Sequence, residues 1–239
     1  MANFGKSIGD SLKRLVFREL TVARRVHLSE HFVRIDLAGK ALRGVHFSPG
    51  DKLQLAFEGG PRTYTPFSFD TEVGALSVLV YLHGDGPSAR WLKSASEGDQ
   101  LFAFGPRSSL ALSSGSQRLA LFGDETSFAL GRALFEARSA DSAFSFVFEV
   151  TDASESRSVL DALELPDTAV VERREDGSHL AHAEARLRDA LGRDAGTRLV
   201  LCGNARSIQT LRARLKAEPV AHAGQLVKAY WALGKRGLD

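Results

Sequence analysis

Leu112-Ser113-Ser114-Gly115-Ser116-Gln117, running into Arg118-Leu119-Ala120-Leu121-Phe122-Gly123-Asp124-Glu125-Thr126, is where the chain changes its pattern. Before this stretch, short apolar runs follow one another closely. Val33-Arg34-Ile35-Asp36-Leu37 alternates apolar and polar residues, and Leu53 to Phe57 does so more loosely. Leu76 to Leu82 is denser in apolar residues, which predicts a more buried strand, and Leu101 to Phe104 stops at Gly105-Pro106. The turns Pro49-Gly50-Asp51, Gly59-Gly60-Pro61 and Gly98-Asp99 divide these runs, so a small antiparallel barrel is expected. One helix, Ser88 to Ser96, is expected inside it, because Gly86-Pro87 suits a first helical turn.

After Gln117 the order becomes strand, loop, helix. Arg118 to Phe122, Ala143 to Val150, the short Ala169 to Val171, Arg198 to Cys202 and Gln225 to Trp231 read as strands. Phe128 to Ala137, His182 to Leu191 and Ser207 to Lys216 read as helices. That alternation predicts an α/β domain with a mostly parallel sheet. The expected division is residues 1–115 for the barrel and 116–239 for the α/β domain.

Thirty-one Lys+Arg against 29 Asp+Glu leave a net charge of +2, far from the basic excess that neutralising a phosphate backbone demands. Nucleic acid is therefore not an expected partner. The single cysteine, Cys202, excludes an intrachain disulfide and any cysteine-based metal cluster. No apolar run reaches the roughly 20 residues of a membrane helix, so membrane insertion is not expected. Met1 to Leu20 carries charges throughout and reads as an amphipathic helix rather than a secretory signal. A cytoplasmic protein is expected.

Two stretches carry chemistry. Arg62-Thr63-Tyr64-Thr65 lies between two expected strands and offers a fork for phosphate, an aromatic face and hydroxyl groups. The competing reading is a strand with a solvated Arg. His83-Gly84-Asp85-Gly86-Pro87-Ser88-Ala89-Arg90-Trp91 joins flexible glycines to a helix start whose N–H groups suit an anion. A plain hairpin end running into a surface helix competes with that.

Together with Gly98-Asp99 and Gly105-Pro106, with Gly123-Asp124-Glu125-Thr126, and with Tyr230-Trp231 followed by Gly234, these motifs resemble the siderophore-interacting protein family. Its members are flavoproteins of the ferredoxin-reductase superfamily. The resemblance runs from roughly Val16 to Gly237 and implies FAD and NAD(P)H as cofactors, with the flavin in the cleft between the domains. It implies that Arg62 meets FAD phosphate, Tyr64 flanks the isoalloxazine and Thr65 sits near N5, with Thr63 and His83 also among the cofactor-binding residues. The Gly86-Pro87-Ser88-Ala89 turn would hold the pyrophosphate, and Trp231 would cover the flavin's other face or its adenine. Gly123, Asp124, Glu125, Thr126, Gly203 and Asn204 would form the nicotinamide side, and Lys235 and Arg236 would meet an anionic substrate. The implied reaction is hydride transfer from NAD(P)H to FAD and single-electron transfer to a ferric siderophore.

This chain departs from the pattern at three places. Phe67 stands where similar members often carry Arg, Cys202-Gly203-Asn204 where relatives have Gly-Glu, and Ala232-Leu233-Gly234-Lys235-Arg236 where Arg-Arg-Gly usually follows the Trp. The Cys-Gly pair resembles ferredoxin reductases, which makes a ferredoxin- or flavodoxin-linked oxidoreductase the alternative. A non-catalytic siderophore- or flavin-binding protein is a third reading. Cys202 itself reads as a packed residue. The seven histidines form no metal set, and His179 and His182 are expected on a solvated helix face. Ser154 and Arg157 could hold a nucleotide 2′-phosphate, against which Asp152 would act; Arg173 and Arg174 are further candidates.

Overall fold

Residues 17–84, 86–110 and 118–234 of the computed structural model are described here. They divide into two compact units, 1–109 and 110–239. The expected boundary at 115/116 falls in the 111–117 stretch, outside the described residues.

The first unit contains β1 (Arg18–His27), β2 (Phe32–Ala38), β3 (Lys52–Leu55), β4 (Arg62–Tyr64), β5 (Pro66–Asp70), β6 (Ala75–Tyr81) and β7 (Gln100–Arg107), with one helix, α1 (Pro87–Ser94). All its strand pairs are antiparallel, in the order β4-β3-β7-β1-β2-β6-β5. Strands β4 and β5 stand at opposite edges of that order, yet only Thr65 separates them in sequence. A span of one residue forces the sheet to roll until its edges meet. The result is the nearly closed barrel that the sequence predicts, with Thr65 on its seam. Alternation supplies the interior: Val33, Ile35 and Leu37 of β2 and Leu53 and Leu55 of β3 are buried with Leu20 and Val22 of β1.

The second unit contains β8 (Arg118–Asp124), β9 (Ala143–Val150), β10 (Thr168–Glu172), β11 (Arg198–Asn204) and β12 (Gln225–Trp231). Helices α2 (Phe128–Glu136), α3 (Ala153–Ala162), α4 (His179–Gly192) and α5 (Ala205–Ala217) connect them. Every pair is parallel, in the order β10-β9-β8-β11-β12. The chain builds outward from β8 to β10, then returns to the other side of β8 with β11. The carboxyl ends of β8 and β11 therefore form the topological switch point, where open α/β sheets bind ligands. Phe122 and Phe148, both fully buried, anchor the sheet to its helices, and Phe128 of α2 packs on Phe148 at 4.8 Å.

Four elements differ from the sequence reading. The N-terminal helix expected to Leu20 falls mostly on residues outside the described set, and Arg18–Leu20 belong to β1. Arg62–Tyr64 are themselves a strand rather than a link between strands, and Pro66–Asp70 are another. Strand β7 runs through Gly105-Pro106, whose peptide bond is cis, to Arg107, which pairs with Lys52 of β3. Helix α3 was not expected at all. Among the described residues, no helix is long and apolar enough to cross a membrane.

Candidate functional site

In the barrel, the loop after β3 and the start of α1 come together. Gly59 has φ +89, and a Cβ built on it would lie 3.3 Å from the Pro87 ring, so only glycine seats this loop there without displacing its neighbour. Arg62 follows the loop, exposed, with one guanidinium nitrogen donating to the Pro61 carbonyl at 2.9 Å. Helix α1 opens with Pro87 in its first turn and has no side-chain cap on its N-cap residue, Gly86. The N–H groups of Ser88 and Ala89 thus lie in the first turn, where the helix itself provides no acceptor. An exposed fork at the end of a loop that is seated against an uncapped helix start supplies the two groups that a diphosphate needs.

Tyr64, half-buried at the end of β4, packs against the barrel core. Burial raises its phenol above the ordinary value, and the neighbouring Arg62 charge acts against that. The phenol therefore stays protonated and serves as a donor or as a flat face. Thr63 is exposed on β4 and Thr65 half-buried on the seam. His83 is exposed, stacks on Tyr81 at 5.4 Å, and places Nδ1 3.1 Å from the Tyr81 carbonyl. An aromatic face, hydroxyls and a diphosphate cradle on one barrel seam fit FAD.

At the switch point of the second unit, the six expected nicotinamide residues are brought together, but most are interior. Gly123, Asp124, Glu125 and Gly203 are buried, and Thr126 and Asn204 half-buried. Gly123 admits Ser127, whose Cβ would lie 2.5 Å from a Cβ placed there. Asp124 Oδ1 accepts from the Thr126 N–H at 2.9 Å and the Thr126 hydroxyl at 2.5 Å, and Oδ2 accepts from the Trp231 indole N–H at 2.7 Å. Burial pushes the Asp124 carboxyl up to about 6; the Glu125 and Glu149 charges add to this, and its hydrogen bonds oppose it. The Asn204 side-chain oxygen caps α5 through the Arg206 N–H at 3.0 Å.

Behind this end lies a network that the sequence reading missed. Glu125 accepts from the Thr151 N–H at 2.6 Å and from Arg173 at 2.9 Å. Glu149 of β9 is fully buried, and its Oε2 faces His179 Nε2 at 2.8 Å and the Ser207 hydroxyl at 2.9 Å. His179 is thus corrected: it lies inside the domain, while His182 is exposed. His179 Nδ1 accepts from the Arg174 N–H at 3.1 Å, so the proton sits on Nε2 and is donated to Glu149. Arg173, pinned by Glu125 and Thr151, is spent on this network. Ser154 and Arg157 are exposed in the first turns of α3, whose N-cap Asp152 accepts from the Glu155 N–H at 2.8 Å. The Asp152-x-x-Glu155 spacing was the available signal for that helix.

Cys202 is packed as expected. It is fully buried, its thiol donates to the Phe122 carbonyl at 3.3 Å, and burial pushes it up to about 12. Lys235 and Arg236 lie outside the described residues. Among the described residues, no group of His, Cys, Asp and Glu could hold a metal ion.

Residues 58–110 match the family model of the siderophore-interacting FAD-binding domain. The NADPH-dependent ferric-chelate reductase of Escherichia coli strain K12 is 33% identical over 122 residues, which is 41% of this chain and 48% of that protein. The similarity thus spans about half the length of that relative. Among solved structures, the siderophore-interacting protein SipS of Aeromonas hydrophila superposes with a TM-score of 0.73 at 21% identity, covering 92% of this chain and 93% of that one. The ferredoxin reductase of carbazole 1,9a-dioxygenase gives a TM-score of 0.73 at 16% identity, over 90% of this chain and 69% of that one. The barrel followed by a five-stranded parallel sheet is the ferredoxin-reductase-like fold, and residues 58–110 of the barrel unit match the FAD-binding domain. The likeness to the siderophore-interacting FAD-binding domain thus covers residues 58–110, and the fold of the described residues is that of the ferredoxin-reductase-like structures.

Proposed function

We propose that this protein is an NAD(P)H-dependent, FAD-containing reductase of ferric siderophores. The observation that carries the reading is the seating of Gly59 against Pro87, which brings the loop that leads into Arg62 against the uncapped start of α1 inside the matched domain. Arg62 and the N–H groups of Ser88 and Ala89 hold the FAD pyrophosphate, with His83 and the Gly86-Pro87 turn shaping that end. Tyr64 and Thr63 flank the ring, and Thr65 on the seam stands near N5. Held there, FAD would supply the redox chemistry, taking a hydride from NAD(P)H and passing its two electrons one at a time to two ferric ions, with the proton leaving to solvent. Gly123, Thr126, Gly203 and Asn204 line the nicotinamide's approach to the switch point, with Asp124 and Glu125 beneath them. Reduction to Fe(II) loosens the grip of hard oxygen ligands, so the iron is released without any acid, base or nucleophile from the chain.

Recognition of an anionic ferric complex falls to Lys235 and Arg236, and a loose encounter at a basic rim suffices for electron transfer. The proposal places the protein in the cytoplasm, where reduced nicotinamide nucleotides are at hand. A ferredoxin or flavodoxin partner was suggested by Cys202-Gly203. The buried thiol, already bonded to Phe122, takes away the argument for a cysteine at the nicotinamide. The test uses FAD-loaded protein reduced by NADPH or NADH under argon, then mixed with a ferric catecholate, a ferric hydroxamate or oxidised ferredoxin. Rapid reoxidation by a ferric complex, slowed by Lys235→Ala with Arg236→Ala at low salt, is expected. Reoxidation by ferredoxin alone would replace this reading with the alternative.

A further inference from the structure

The indole N–H of Trp231 is bonded to a carboxylate that lies 107 residues earlier in the chain and is fully buried. Three features build this contact. The register of β12 on β11 steps from Gly203–Ala229 to Asn204–Trp231, passing over Tyr230. A bulge of this kind re-aims the side chains beyond it. Gly203 between the two strands has φ +93, and a Cβ there would overlap the Asp124 carboxylate, so no other residue leaves room for the contact. Finally, Thr126 pins the other carboxylate oxygen through both its N–H and its hydroxyl, so Asp124 has a single orientation.

The consequence concerns what the indole can offer. Its one polar group is consumed, and the ring is half-buried. What remains for a ligand is an apolar, planar face fixed at the carboxyl ends of β8 and β11, where a ligand is expected. We infer that Asp124 is a positioning residue that locks Trp231 as a stacking platform for a planar heteroaromatic ring at the switch point. This rests on the proposed function for the identity of that ring, the nicotinamide.

The groups around Asp124 define its behaviour with pH. Glu125 beside it, Glu149 on β9, Arg173 after β10 and Cys202 on β11 face it, besides Thr126 and Trp231. Its own carboxyl changes charge at about pH 6. The bond to the indole is charge-assisted above that pH and ordinary below it.

Trp91 and Trp231 are the only tryptophans, so Trp91→Phe isolates the reporter. The experiment follows Trp231 emission and its quenching by acrylamide against pH, in the full chain with and without saturating FAD. Asp124→Asn and Asp124→Ala are compared in the same background, and FAD and NADP+ are titrated separately. Expected are a transition with a midpoint at about pH 6 that Asp124→Asn abolishes, and readier quenching in Asp124→Ala at every pH. Binding of the nicotinamide ring of NADP+ should quench Trp231 in the parent and do so less in Asp124→Ala. Should Asp124→Ala misfold, the parent's pH transition and its loss in Asp124→Asn still decide the matter. A Trp231 signal indifferent to pH and to both substitutions would overturn the inference. If neither FAD nor NADP+ binds, the proposed function and the platform role both fail, and a persisting pH transition would show that the Asp124 lock exists without that role.

Discussion

Replacing Asp124 by Asn should change the sign of this residue's effect on stability between acid and neutral pH. Asp124 has a carboxyl pushed up to about 6 from an ordinary 3.8, with burial as the main cause. Between those two pH values the unfolded chain has released the proton and the folded one keeps it. The folded state then binds more protons, so stability falls as pH rises through this window. At about 1.4 kcal/mol per pH unit, the charged carboxylate leaves the second unit about 3 kcal/mol less stable above pH 6 than at acid pH. An Asn in its place has no proton to lose. It keeps an oxygen for either Trp231 or Thr126 and forfeits the other bond, at a cost of about 1 kcal/mol. The variant should therefore be less stable than the parent at about pH 4 and equal or more stable at about pH 7. Urea unfolding followed by Trp231 emission in Trp91→Phe protein measures the difference, and the comparison cancels the other groups that titrate in the same range. A stability difference independent of pH would refute the reasoning.

Three other outcomes are expected. Arg62→Ala should weaken FAD binding about 10- to 100-fold, the worth of one charge-assisted phosphate contact, and adding Tyr64→Ala should weaken it further in a fluorescence titration. His179→Ala takes a hydrogen-bond donor from the buried Glu149 and should destabilise the second unit by about 1.5–3 kcal/mol in urea melts at neutral pH. Cys202, buried and held as a thiol, should react with a disulfide reagent only at the rate of unfolding; rapid labelling of native protein would contradict the packing described for it.

The barrel and the parallel sheet were legible because their strands carry clean periodicity or unbroken apolar runs. The misses have physical causes. In β1, Leu20 and Val22 alternate properly, but a register shift between Val22 and Arg24 breaks the pattern, and Arg24, Arg25 and His27 disguise the rest. Helix α3 buries only Ser156, Val159 and Leu160, too few for an apolar stripe, and its Asp152-x-x-Glu155 cap was read as part of a nucleotide loop. The residue types of the candidate site were visible as motifs, but burial was not. Nothing in Gly123-Asp124-Glu125-Thr126 says that both carboxylates turn inward, because their partners Trp231, Thr151 and Arg173 come from distant strands. Glu149 illustrates the same limit: an acidic residue near the end of an apolar strand has its His179 and Ser207 partners supplied only by the fold.

The central claim is that FAD held on the barrel seam divides each hydride into two single electrons for ferric iron. The direct measurement is the count of Fe(II), trapped by a ferrous-specific chelator, per NAD(P)H oxidised under argon with a ferric siderophore as acceptor. Two Fe(II) per nucleotide, abolished by omitting FAD and strongly reduced in Arg62→Ala with Tyr64→Ala, is the predicted result. Nucleotide oxidation without Fe(II), or Fe(II) formed equally well without FAD, would contradict the account.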